Sequence, residues 1–192
     1  SLGKELSGRG FRNTVLWSRG VDANLFRPQE KSSFARTRPV FIYVGRVSVE
    51  KNIEAFLQLD LPGSKIVVGD GPARQMFMDN YPEVEFTGYR KGRELAYLVA
   101  MADVFVFPSL TDTFGVVMLE AMASGVPVAA YPVTGPKELV VEGVNGFLNV
   151  DLREAALNAL QIPSASCRQF ALRYSWDSCS KQFMNNLVIN EH

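Results

Sequence analysis

Five short apolar runs, each closing on glycine, proline or serine, constrain the fold of this chain more than any other feature. They are PVFIYVG (39–45), KIVVGDG (65–71), VEFTG (84–88), DVFVFPS (103–109) and PVAAYP (127–132), and β-branched and aromatic residues dominate them. Such runs are apolar on both faces, the pattern of parallel strands covered by helices on each side. Amphipathic segments at about 51–59, 72–80, 91–102, 115–124 and 136–142 alternate with them. Strand, helix, strand at this spacing requires right-handed crossovers, so the pattern predicts an α/β fold: an open parallel sheet with helices on both faces. GVNGFLNV (143–150) reads as a turn and a short last strand, with helical segments following to about residue 188.

Punctuation agrees with these boundaries. Gly125 stops the apolar helix and Pro127 opens the next strand. Asp70-Gly71-Pro72 sets a capping residue and a first-turn proline where the 72–80 helix should start. Residues 1–20 fit the alternation poorly and read as a short helix (1–9), a glycine-containing turn and a strand-like NTVLW (13–17).

A chain of 192 residues with 47% hydrophobic and 21% charged side chains is long enough for one sizeable core. Its zero formal net charge gives no support for binding nucleic acid or an anionic membrane through bulk charge. Residues 1–38 nevertheless carry eight Lys and Arg against three acids, either a docking surface or scattered solvated charge. Two cysteines, Cys167 and Cys179, suggest neither a metal knuckle nor a disulfide scaffold. The one histidine is His192, which argues against histidine-based acid–base catalysis and His-rich metal sites. No apolar stretch reaches the roughly 20 residues of a spanning helix, and no signal peptide opens the chain. A cytoplasmic location is therefore expected.

In open α/β sheets, ligands bind outside the carboxyl ends of the strands, which directs attention to the loops there. The most informative is SLTDTFGVVMLEAMASGVPV (109–128), where from Phe114 to Ala123 only Glu120 is neither apolar nor glycine. A lone carboxylate in such a helix is costly to bury unpaired. Glu120 lies on a solvent stripe, pairs with a core arginine, or faces a cleft and accepts hydrogen bonds from ligand hydroxyls. Asp112, earlier in the loop, is a plain helix cap or a second ligand-facing carboxylate. The two are separated by about 12 Å of helix, the length of a nucleotide sugar folded over a helix start. Phe114 and Gly115 between them would bring backbone N–H groups to a diphosphate, aided by the helix dipole.

GRVSVEKN (45–52) places Arg46 at the end of the first strand and Lys51 near the next helix start. A departing nucleoside diphosphate needs its charge neutralised by a metal or by fixed cations. The chain has no Asp-x-Asp pair, so Arg46 and Lys51 either do this without metal or are ordinary surface residues. VVGDGPAR (67–74) lacks the spacing of a Walker or dinucleotide loop and reads as a tight turn into a helix. TGYRKG (87–92) puts Tyr89 at a strand end, against a nucleobase or in the core or rim.

Taken together and in order, SRGVDANLFRP (18–28), YVGRVSVEKNIEAFL (43–57), VVGDGPAR (67–74), ADVFVFPSLTDTFGVVMLEAMASGVPV (102–128) and GVNGFL (143–148) resemble the C-terminal lobe of family-4 retaining glycosyltransferases, the glycosyl transferases of group 1. TDTFG is closest to the glycolipid-forming mannosyl- and sulfoquinovosyl-type branch. The resemblance implies one Rossmann-like lobe of a GT-B two-domain fold, acting as a hexosyltransferase. This lobe would hold a nucleotide-diphosphate sugar, while an N-terminal lobe would hold an acceptor such as a glycolipid or another lipid and make any membrane contact.

On the same resemblance, Arg46 and Lys51 contact the donor diphosphate, and Glu120, the second acid of a Glu–seven residues–Glu motif, contacts the ribose. Asp112 stands where the first glutamate contacts the transferred sugar, one methylene shorter. Phe114, Gly115 and Val116 match the stretch whose backbone lies along sugar and phosphate, with Thr113 and Gly45 as further donor-binding positions. Tyr89 and Arg90 match the neighbourhood of the base. Residues 1–20 would end the N-terminal lobe and its connection, and 21–192 would form the donor-binding domain. Its closing helices, about 151–188, would pack back toward the other lobe. No metal, cofactor or nucleic acid is expected, and the chain alone is expected to be inactive. Two rival readings are a non-catalytic nucleotide-sugar-binding module and a sugar-nucleotide epimerase of the same two-lobed fold. A receiver-type signalling domain would need a cluster of acids after the first strand, which is lacking.

Overall fold

A computed structural model describes residues 2–12, 15, 17, 19–31, 35–111 and 115–187. Six parallel strands form one sheet: β1 (Val40–Val44), β2 (Ser64–Val68), β3 (Glu85–Gly88), β4 (Val104–Phe107), β5 (Val128–Ala130) and β6 (Gly146–Leu148), in the order β3-β2-β1-β4-β5-β6. Before them lies α1 (Leu2–Gly8). The connections carry α2 (Ile53–Leu57), α3 (Arg74–Asn80), α4 (Gly92–Met101), α5 (Val116–Ala123) and α6 (Thr134–Leu139), and α7 (Leu152–Ala159), α8 (Ser164–Leu172) and α9 (Trp176–Asn185) close the chain. No described helix is long and apolar enough to cross a membrane.

All five residues of β1 are buried, and their alternation assigns them to two cores. Val40, Ile42 and Val44 pack on one face with residues of α4, α5 and α8. Phe41 and Tyr43 pack on the other with α2, α3 and α7. This double burial is why the strand is apolar at every position rather than at alternate ones. Helix α5 is apolar nearly all round for the same reason, since it lies between the sheet and α8.

Three expected boundaries shift. The segment expected as one helix over 51–59 is a 3-10 turn (Val49–Lys51) joined to α2 at Asn52, which is left-handed (φ 52°, ψ 30°). Helix α3 starts at Arg74 with no side-chain cap, because the Asp70 carboxylate accepts instead from the N–H of Gly71 at 2.8 Å. Helix α6 runs over 134–139 rather than 136–142. Buried Asn145 stops it: its amide donates to Leu139 O (3.0 Å) and its oxygen accepts from Val141 N (2.7 Å). Of the strand-like run 13–17, Asn13, Thr14 and Leu16 lie outside the described residues, and Val15 and Trp17 belong to no strand.

The carboxyl ends of the strands are laced together by main chain. Gly45 N donates to Val68 O (3.0 Å), Val47 N to Asp70 O (2.9 Å), and Gly69 N to Gly88 O (3.0 Å). A Cβ on Gly69, at φ 146°, would lie 1.8 Å from Gly45 O, so the loop after β2 needs glycine for close approach. On the other side, Asn52 Nδ2 donates to Pro108 O at 3.0 Å, tying the loop after β1 to the end of β4.

Replacing Gly69 by alanine is expected to cost about 3 kcal/mol or more, from strain plus the backbone clash. Gly92→Ala, also at positive φ (55°) but with nothing within 4 Å of its Cβ, should cost about 1–2 kcal/mol. Urea denaturation of both variants measures the difference, and equal losses would show that the approach to Gly45 is unimportant.

Candidate functional site: a cleft at the reversal of strand order

The strand order reverses between β1 and β4, and the crevice outside their carboxyl ends is where such sheets take ligands. A cleft of about 600 Å³ opens there, within the size range of small-molecule sites. Its walls come from the loops after β1, β2 and β3, from Leu25 and Phe26, and from Val117 and Glu120 of α5. A smaller hollow of about 290 Å³ shares Val44, Gly45, Arg46 and Val117 with it and extends toward Lys51, Ser109, Gly115 and Val116.

The expected cations stand on this edge. Arg46 is exposed, with Nη1 3.9 Å from Glu50 Oε1, and its carbonyl accepts from the Tyr43 hydroxyl at 2.9 Å, which fixes the loop. Lys51 is half-buried at the end of the 3-10 turn and lines the smaller hollow. Gly115 precedes α5 in the left-handed region (φ 66°, ψ 69°), a conformation that favours glycine. It turns the chain into the helix, whose first N–H groups have no partner within the helix itself. Val116 and Val117, the first residues of that helix, line the hollow.

Glu120 sits half-buried in the cleft wall. Among the described residues none donates a hydrogen bond to its carboxylate or pairs with it. Burial pushes its carboxyl above the ordinary value of 4.5, with no cation pulling it back. Of the three readings the sequence leaves open, the structure favours the cleft-facing one. The arginine of the neighbouring α8, Arg168, spends its donors on backbone carbonyls instead.

Tyr89 is 67% exposed on the cleft rim, so it is not a core residue. Arg90 beside it donates from Nη1 to Tyr89 O (3.0 Å) and holds Nε 3.9 Å from Glu94 Oε2. The structure thus brings Gly45, Arg46, Lys51, Tyr89, Arg90, Gly115, Val116 and Glu120 to one edge of the sheet. Asp112, Thr113 and Phe114 lie outside the described residues.

Sequence reasoning on individual residues misses Leu25 and Phe26, because apolar residues in a loop look like core. It also misses Asn52, although asparagine is the residue after glycine that best tolerates the left-handed region. The cleft and the adjoining hollow together carry Arg46, Lys51, Arg90 and Lys91 against Asp70 and Glu120, an anion-receptive edge with one acidic wall. Among the described residues no three His, Cys, Asp or Glu side chains gather as metal ligands would.

This geometry has counterparts. The family model described as Glycosyl transferases group 1 matches residues 38–162. Sulfoquinovosyl transferase SQD2 of Arabidopsis thaliana is 33% identical over 216 residues, covering 96% of this chain and 42% of that protein. A GDP-mannose-dependent alpha-mannosyltransferase of Mycolicibacterium smegmatis is 40% identical over 154 residues, covering 74% of this chain and 40% of that one. The chain therefore spans less than half the length of these relatives. Among solved structures, Anabaena Alr3699/HepE in complex with UDP superposes with a TM-score of 0.74 at 24% identity, over 90% of this chain and 56% of that one. That likeness carries the fold alone; the family model over residues 38–162 and the 33% identical relative settle the family, and this chain belongs to the group 1 glycosyl transferases.

Proposed function

We propose that the chain is the donor-binding lobe of a GT-B hexosyltransferase, which holds a nucleotide-diphosphate sugar in the cleft and supports its transfer, with retained anomeric configuration, to an acceptor. One observation carries this reading: a carboxylate without a partner among the described residues, Glu120, shares a cleft with Arg46 at the reversal of strand order, and Lys51 stands in the adjoining hollow. A nucleotide sugar offers hydroxyl donors to the carboxylate and a diphosphate to the cations.

In this reading Arg46, Lys51 and the first N–H groups of α5 stabilise the charge that builds on the diphosphate as its bond to the anomeric carbon breaks. A well-aimed donor of this kind contributes about 3–4 kcal/mol. In this reading two cations, Arg46 and Lys51, take the place of a metal. Glu120 accepts from ribose hydroxyls, and Tyr89 with Arg90 faces the base. Asp112, Thr113 and Phe114 keep the sugar-side roles that the family resemblance implies. The acceptor, a glycolipid or another lipid on the cytoplasmic side, and any membrane contact belong to a second lobe. Residues 1–20 lead from that lobe, and α9 closes back toward it. The sulfoquinovosyl and mannosyl relatives support a hexose donor.

Calorimetric titration of this chain with UDP, GDP and ADP tests the reading, and binding of none of them would overturn it. For the nucleotide that binds, Lys51→Ala should weaken affinity about 10- to 100-fold, the value of a charged hydrogen bond. Its nucleoside should bind as before, and equal losses for the two would remove Lys51 from the diphosphate.

Glu120 also gives a pH signature. Because its folded pKa is raised, the folded state gains relative stability below the ordinary value of 4.5 and loses it as pH rises through the raised value. Glu120→Gln is therefore expected to melt higher than the parent at pH 7, with the gain vanishing at pH 4, while binding the nucleotide about tenfold more weakly. Thermal melts at the two pH values read the first effect, and a melt unchanged at pH 7 would contradict the uncompensated burial.

A further inference from the structure

We propose that Arg168 is a positioning residue for the nucleoside end of the cleft: it latches the wall made by Leu25 and Phe26 to helix α5. The inference rests on the donor-binding reading above, but the latch itself has a readout independent of any ligand. Arg168 lies on α8, which packs against α5, and it does not line the cleft. Its Nη1 donates to Phe26 O and to Ala123 O, each at 2.7 Å, and its Nη2 to Ala23 O at 2.8 Å. Ala123 is the last residue of the helix that carries Glu120, one turn earlier. One planar cation thus joins the acidic wall of the cleft to its apolar wall.

The segment so held belongs to no helix and to no strand of the sheet. It is a local turn in which Asp22 Oδ1 accepts from Asn24 N and Leu25 N, both at 3.0 Å, and Asp22 O accepts from Phe26 N at 2.9 Å. Upstream, Val21 N donates to Tyr174 O at 2.8 Å. Those bonds shape the turn and fix where it begins, but the guanidinium bridges the turn to α5. A guanidinium suits the task because its donors lie in one plane at fixed angles, whereas an ammonium is a single point of attachment. Arg168 uses three neutral carbonyls rather than a carboxylate, which trades charge pairing for placement.

Release of the latch frees Leu25 and Phe26 to move away from Val117 and Glu120, widening the cleft where a nucleoside would be gripped. The anion-receptive end is built from other parts, the loop after β1 and the start of α5, and stays in place.

The test compares the parent chain with Arg168→Met, a change of similar stem without donors. Hydrogen exchange should speed up at the Leu25 and Phe26 amides, while the β1 amides remain protected. Affinity for UDP or GDP, whichever binds, should fall roughly fivefold or more, together with that of its nucleoside. Inorganic pyrophosphate should bind within about twofold of the parent. If Arg168→Met does not fold, Arg168→Lys keeps the charge and a single donor nitrogen and should show the same pattern more weakly.

Unchanged exchange at Leu25 and Phe26 overturns the latch. Faster exchange with unchanged nucleoside affinity, or an equal loss for pyrophosphate, overturns its positioning role. If the parent binds neither nucleotide, the donor-binding reading fails, and the exchange result still judges the latch.

Discussion

A parallel strand must carry its chain back over one face of the sheet before the next can begin, and that return is right-handed. When successive strands are added in one direction the helices fall on one face, and when the direction reverses they fall on the other. Here the chain moves from β1 out to β2 and β3, then returns to β4 and continues to β5 and β6. Helices α2 and α3 accordingly cover one face, and α4 and α5 the other. The connection leaving β1 turns to one face and the connection leaving β4 to the other, so a crevice opens between the carboxyl ends of these two strands. The position of the cleft follows from chain handedness before any side chain is considered.

Side chains then give the crevice its chemistry, and they do so asymmetrically. Arg46 stands on a loop and stays largely hydrated, and its contact with Glu50 is a long one. The acid sits in a helix and is half-buried with no partner among the described residues. A hydrated cation loses little while it waits for an anion, whereas a desolvated carboxylate is disfavoured until a donor reaches it. The acidic wall is therefore where burial is least compensated by the protein's own groups.

What the sequence revealed follows the same physics. The strands were legible because burial on both faces leaves no room for polar residues, and β1 is apolar at every position for that reason. Glu120 stood out because a single charge in an apolar helix has few explanations. Arg46 and Lys51 gained meaning only from the strand ends beside them. Helix limits were harder to read because side chains outside each helix set them by their choice of hydrogen-bond partner. Asn145 ends α6 from beyond its own strand-like continuation, and Asp70 turns its carboxylate to Gly71 rather than to the helix after it. The cleft's apolar wall was hidden for a simpler reason: Phe26 is buried like a core residue, and nothing in its type marks it as facing a cleft.

The floor beneath the cleft is main chain meeting main chain, with Gly69 against Gly45 and the loops after β1, β2 and β3 hydrogen-bonded to one another. A surface of that kind is indifferent to side-chain identity everywhere except at its glycines. Tyr89, Arg90 and Lys91 stand exposed on the rim above it. On the donor-binding reading, exchanging a rim side chain would change what a ligand meets while leaving the main-chain platform beneath it in place.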